Sequence, residues 1–394
     1  MSRASIFDLL HQRHQPTEPV SEVSTTRSDY DTQRLRLLDG MALTPSGFVA
    51  AGSLPEAQPP AQSSSLYGAD GFRCIVHRIA DVMPVQAPRL GRLEARALRL
   101  HQLIQTLAVD ALMLLEALPD ETAFDVVVSA PLRSDEAAHI IIERLRAAIA
   151  ETQYGQWLNR IDHDMAGADP HASLAAGDGG GMAHVLWISA DSLLDDEGVA
   201  ALQRRSAAVG ASRGAGFYPG EAAVALLLQR LLPDEVAFDS GWLIDSGVSV
   251  EHLPRSTSRD HVRRQALLDV LAQSWPPMDE TQPQEGGQAE SRQKSDGPAR
   301  LVFDTLNLPG RAVEAGGALT ERWPALDLVT DGVSVDGMAG WPVGAVTALA
   351  WALALASLQP DEHALVLSLE SDSVTRAWRL MACTAPAAGE EAHS

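Results

Sequence analysis

Short runs of β-branched and aliphatic residues alternate along this chain with longer stretches whose apolar residues recur every three or four positions. That alternation limits it to layered α/β architectures, with helices covering both faces of a sheet. Residues 124–130 (Phe-Asp-Val-Val-Val-Ser-Ala, closed by Pro131), 184–189 (His-Val-Leu-Trp-Ile-Ser), 222–228, 236–244, 301–303 and 364–369 predict buried strands, and 72–82 a strand and turn. Between them, 92–118 places Leu93, Ala97, Leu100, Leu103, Ile104 and Leu107 at helical spacing. Helices are also predicted over 135–150, 192–205, 260–273 and 343–358, the first two opening with acidic residues that suit a helix N-terminus. The strand–helix order recurs before and after about residue 235. The expectation is therefore two related halves, 67–235 and 236–394, rather than two unrelated domains.

Two stretches stand apart. Residues 1–66 are rich in Ser, Pro and Gln and read as a polar N-terminal arm, with 55–65 as a linker. Residues 278–299 (Met-Asp-Glu-Thr-Gln-Pro-Gln-Glu-Gly-Gly-Gln and onward) are low in complexity and predict a disordered loop between a helix and a strand.

With 394 residues, 45% of them hydrophobic, the chain can bury a large core. A net charge of −22 repels polyanions, so neither nucleic acid nor an anionic membrane is an expected partner. The longest apolar run, 345–358, is shorter than the ~20 residues of a spanning helix. Two cysteines, Cys74 and Cys383, make no disulfide framework and no zinc pattern. The N-terminal residues lack a signal-peptide core. A cytoplasmic protein is the reading.

Several short landmarks, in order, carry a resemblance. They are His184-Val-Leu-Trp-Ile-Ser-Ala-Asp-Ser192, the stretch Gly216-Phe-Tyr-Pro-Gly-Glu221 with its apolar continuation, Phe303-Asp-Thr-Leu306 with Glu314, Met338-Ala-Gly-Trp-Pro-Val-Gly-Ala345, and 364–373. Over roughly 72–385 the chain resembles the thiolase superfamily, in particular its β-ketoacyl synthase branch. The resemblance implies a thiolase-like α/β fold of two pseudo-repeated halves, five-layered, whose members pair through first-half strands into dimers.

The chemistry of that branch needs a thiolate at a helix N-terminus, where the dipole lowers its pKa. It also needs two imidazoles to stabilise the oxyanion and enolate. Here no cysteine lies between 130 and 182. Asp304 stands at the first histidine position and Trp341 at the second. The terminal turn reads Ser-Leu-Glu-Ser-Asp-Ser where glycines are expected. Ser173 is the nearest hydroxyl to the nucleophile region, with no evident base. Cys74 and Cys383 read as small buried hydrophobes. No catalytic residue, cofactor or metal is therefore assigned.

Two other constellations receive structural readings. Asp162-His163-Asp164, Asp169, His171 and Asp178 have metal-type side chains but no regular spacing, and read as a solvated acidic loop within a loop-like segment 153–181. Gly177-Asp-Gly-Gly-Gly181 precedes a strand instead of opening a helix, so it reads as a flexible hinge, not a phosphate cradle. The tryptophans read as core, with Trp341 and Trp351 filling the space of an acyl chain.

The function expected is a non-catalytic binding or scaffold protein, whose partner is a second thiolase-like chain, a secreted effector, or both. The resemblance extends this to an adaptor or chaperone for a type VI secretion effector. The alternative is a divergent or chain-length-factor-like ketosynthase subunit, as a homo- or heterodimer.

Overall fold

The computed structural model describes residues 30–164, 169–177, 180–205, 207–209, 214–235, 240–276 and 297–383. In chain order these form β1 (Arg34–Thr44), β2 (Gly47–Ala50), β3 (Ala61–Tyr67), β4 (Arg73–Val76), α1 (Pro88–Leu93), α2 (Ala97–Ala111), β5 (Phe124–Ser129), α3 (Asp135–Ala150), β6 (Leu158–Asp164), α4 (Pro170–Ala176), β7 (His184–Ser192), α5 (Asp196–Arg204) and β8 (Glu221–Arg230). There follow β9 (Trp242–Asp245), β10 (Val248–Glu251), α6 (Asp260–Ser274), β11 (Arg300–Phe303), α7 (Arg311–Arg322), β12 (Gly332–Ser334), α8 (Val335–Ala339), α9 (Val346–Ser357), β13 (Ala364–Ser368) and β14 (Val374–Ala382).

The main sheet reads outward from its centre as β1-β8-β7-β5-β6 in one direction and β9-β14-β13-β11-β12 in the other. The pairing types repeat as well. In each arm the two inner pairs are antiparallel, and the two outer pairs are parallel. Helices recur at matching points: α2 and α6 before the first parallel strand, α3 and α7 after it, α4 and α9 before the third. The arms join where β1 pairs antiparallel with β9, Arg34 opposite Asp245 and Leu37 opposite Trp242. The chain thus has two pseudo-repeated α/β halves.

Side-chain alternation builds the layers. Along β8, Ala223, Ala225 and Leu227 face the outer helices α2 and α3, while Ala222, Val224, Leu226 and Leu228 face inward. The inner faces of both arms close on α9 and on Leu174 and Ala175 of α4, and α6 and α7 cover the other outer face. The order is helix, sheet, helix, sheet, helix. Every residue from Ala348 to Ala356 is buried. A helix apolar all round belongs in a core, and its alanines let two sheets approach it. The stretch Ala97–Ala117 is long and apolar enough to cross a membrane by length and composition. Half of it is buried, and Leu100, Leu103, Ile104 and Leu107 pack into the outer core.

Three expectations need correction. Residues 34–50 are not part of a polar arm: β1 is the central strand, with Leu35 and Leu37 fully buried. Its segment Arg-Leu-Arg-Leu alternates at period two, but polar flanks dilute the signal. The segment 153–181 is not a loop, since it holds β6 and α4. β6 is an edge strand with half-buried residues, so it tolerates Asn, Arg, Asp and His. α4 carries ordinary start signals, the Asp169 side chain capping the His171 N–H and Pro170 in the first turn. Nor do Gly177 and Gly181 form a hinge. A Cβ on Gly177 or Gly181 would lie 3.0 or 2.8 Å from the Arg230 guanidinium, which is buried against Asp125 at 2.9 Å. The expected loop 278–299 lies outside the described residues except for 297–299, as do 236–239 of the strand expected at 236–244.

Candidate functional site

Strand ends bring together the loops in which the resemblance places its chemistry. Asp304 follows β11 and is 3% exposed. Its carboxylate accepts from the Ser368 hydroxyl (2.7 Å), the Leu369 N–H (2.7 Å) and the Glu370 N–H (3.1 Å). Burial raises its pKa to about 6, and those three donors work against the shift. Asp304 therefore pins the turn after β13 in place. Around that turn Arg311 donates to the Leu369 carbonyl, and Arg255 to the carbonyls of Ser371 and Val374. Both guanidiniums are buried against Glu314. Glu314, which the resemblance sets downstream of the first histidine position, is their shared counterion.

Trp341 sits between α8 and α9, 3% exposed. Its indole stacks on Phe217, centroids 3.9 Å apart and planes 12° apart, within a small apolar cluster that includes Leu193 and Leu202. Its backbone N–H donates to the Tyr218 carbonyl (2.9 Å). The landmark Pro-Gly-Glu explains itself here. A Cβ on Gly220 would fall 1.9 Å from the Ala339 carbonyl oxygen, so only glycine lets the segment before β8 run against the loop after α8. Glu221 is fully buried and binds Arg99, the Ser192 hydroxyl and the Ile79 N–H. Trp351 lies elsewhere, in the interior layer, edge-on to Trp187 (5.6 Å), His171 (6.3 Å) and Trp378 (6.4 Å). The two tryptophans paired in the sequence reading thus fill two separate places.

Sequence reasoning missed two residues of this junction. Asp336 is 1% exposed. Its Oδ2 accepts from the Thr305 hydroxyl (2.6 Å) and the N–H groups of Leu306 and Asn307, while its Oδ1 is buried without a partner. His77 is buried edge-on to Tyr218 (5.8 Å), beside Gly340. Burial lowers its pKa against the pull of Asp336, so it is neutral at pH 7. Only the Ser-x-x-Gly turn before α8 hinted at Asp336, whose neighbour Ser334 caps the Gly337 N–H.

The remaining candidates do not converge. Ser173 is exposed on the seven-residue α4, and its hydroxyl donates to the Pro170 carbonyl. Burial pushes the Cys74 thiol up, with Asp70 and Asp196 adding to it, and burial also pushes Cys383 up, so both stay protonated. Asp162 pairs with Arg160, His163 donates to the Ala130 carbonyl and His171 to the Ile244 carbonyl. Asp178 lies outside the described residues. Among the described residues no group of three or more His, Cys, Asp or Glu is placed to hold a metal ion.

Solved structures share this architecture. One is a chain of AntDE:AntF, a type II PKS acyl-carrier protein in complex with its ketosynthase bound to the hexaketide. The match has a TM-score of 0.52 at 12% identity, over 89% of this chain and 100% of that one. The chain has the thiolase fold. Looser likenesses are the 3-oxoacyl-(acyl carrier protein) synthase III FabH of Xanthomonas oryzae pv. oryzae (TM-score 0.43, 12% identity, 89% and 99% covered) and an OleA variant of Xanthomonas campestris (TM-score 0.44, 11% identity, 89% and 99% covered). No protein-family model and no curated protein matches the chain.

Proposed function

We propose that this thiolase-fold chain is a non-catalytic subunit that binds another protein. The observation that carries the reading is the stack of Trp341 on Phe217. An imidazole at that place could hold a thioester oxygen. An indole packed at 3.9 Å against a phenyl ring fills the space and supplies neither acid nor base at neutral pH. Asp304 supports it, because three protein donors occupy its carboxylate. So do the raised thiols of Cys74 and Cys383.

The solved assembly matched at a TM-score of 0.52 holds a ketosynthase with its acyl-carrier protein. That precedent favours a protein partner, and a second thiolase-like chain in a homo- or heterodimer is the first choice. A chain-length-factor-like role is this reading with an active ketosynthase as partner, and a type VI effector adaptor is this reading with a secreted effector. The test is co-expression with the chains encoded beside it, followed by affinity purification. Recovery of a stoichiometric complex is expected. Recovery of this chain alone, across all of them, contradicts the proposal.

A further inference from the structure

A cavity of about 450 Å³ opens at the end of the first half remote from the loops just described. It lies where β5 begins at Phe124 and just before β6 begins at Leu158, whereas the family landmarks gather at the other ends of their strands. Its lining includes the half-buried Tyr154 and Trp157, with Phe124 buried behind them. Its acidic lining is Glu116, Asp120 and Glu121, exposed and without an ion pair among the described residues. Among the described residues no Lys or Arg lines it. Elsewhere the carboxylates Asp125, Glu221 and Glu314 each face an arginine. The Tyr154 hydroxyl oxygen is buried and has no partner. Glu121 is the one non-glycine residue at positive φ among the described residues, at 64°. Glycine is the ordinary occupant of that conformation, so a glutamate there carries a steric cost.

We infer that this cavity receives an arginine side chain from a basic segment of a partner protein. The proposal rests on the protein-binding reading above and names the chemistry of the contact. A guanidinium is planar, stacks on aromatic faces and donates in pairs to carboxylates, so it uses rings and acids at once. A lysine ammonium gains the charge contacts and less of the stacking. The net charge of −22 draws a basic segment toward the surface, and the cavity selects where it docks.

The experiment uses the full chain and a fluorescein-labelled hexa-arginine peptide, read by anisotropy at about 0.15 M salt, where long-range attraction is screened. Glu116→Gln, Asp120→Asn and Glu121→Gln together weaken binding by about tenfold, as expected for losing charge-assisted contacts to one anchored guanidinium. A control triple, Glu56→Gln, Glu251→Gln and Asp361→Asn, removes the same charge from exposed positions elsewhere and changes affinity less than about twofold. Hexa-lysine binds several-fold more weakly than hexa-arginine. Glu121→Gly alone covers the case in which the triple variant misfolds: it relieves the backbone, raises the melting temperature and still weakens the peptide. Equal weakening by both triples, or equal affinity for the two peptides, overturns the proposal. If the peptide fails these tests while the chain still co-purifies with a neighbour-encoded protein, the cavity assignment falls and the protein-binding reading stands. If no protein co-purifies but the peptide behaves as predicted, the protein-binding reading falls and the cavity keeps its selectivity for a guanidinium alone.

Discussion

Glu314 offers the sharpest test of whether the region around Asp304 is structural. Its side chain is 2% exposed and that of Arg255 is 1% exposed, with Arg255 Nε at 2.9 and 3.2 Å from the two carboxylate oxygens. Arg255 also donates to Ser371, Val374 and Thr375, so the pair anchors the turn between β13 and β14. Arg311 stands 3.9 Å from the same carboxylate. Glu314→Gln keeps the shape and removes the charge that two buried guanidiniums share. Breaking a buried pair from one side costs about 3 to 5 kcal/mol, because desolvation is no longer offset. With a urea m-value of roughly 3 kcal/mol/M, the midpoint falls by about 1 to 1.7 M. Arg255→Met should cost a similar amount. The double variant should cost less than the sum by about 2 kcal/mol, since removing both charges ends the mismatch. The assay is urea unfolding followed by circular dichroism for the four species. Single-variant losses below about 1 kcal/mol, typical of exposed pairs, would refute the reasoning.

Three further outcomes follow from the same geometry. Gly220→Ala puts a methyl 1.9 Å from the Ala339 carbonyl oxygen; backbone must move, and urea unfolding should register a loss near the top of the ~1 to 3 kcal/mol range for overpacking, or insoluble protein. Trp341→Ala empties one face of the Phe217 stack and should cost about 3 to 5 kcal/mol without creating acyl-transfer activity, read by denaturation and thioester turnover. Asp304 has a folded pKa of about 6 against an ordinary 3.8. The folded state therefore holds the proton more tightly, and its contribution is full below pH 4 and lost as pH rises through 6. The stability of wild type relative to Asp304→Asn should fall by about 2 kcal/mol between pH 4 and 7. A flat difference would remove Asp304 from the account.

Much of the fold was legible because its signals are local. The run 124–130, the apolar 222–228 and the Ala/Leu helix at 343–358 lie deep in the core, where burial and composition agree. What escaped is decided by tertiary context. β1 is central only because β8 and β9 flank it; its own sequence carries three charges among its leucines. β6 is strand by pairing with β5 alone, and its residues Asp162, His163 and Asp164 looked like ligands because edge strands keep polar side chains. At the site, the sequence singled out Asp304 and Trp341 but not their partners. Ser368, Leu369 and Phe217 lie far away in the chain, and no local pattern announces such contacts. His77 was invisible for the same reason, since its neighbours Tyr218 and Gly340 come from both halves.

The central claim is the proposal that Asp304 and Trp341 serve as anchoring and packing elements and not as reactive groups. It is met most directly by intact mass measurement after incubation with an acyl thioester and with a mechanism-based ketosynthase inhibitor. The account predicts an unchanged mass with both reagents. A covalent adduct that maps to one side chain, Ser173 or Cys74 for instance, and disappears when that residue is replaced, would contradict it.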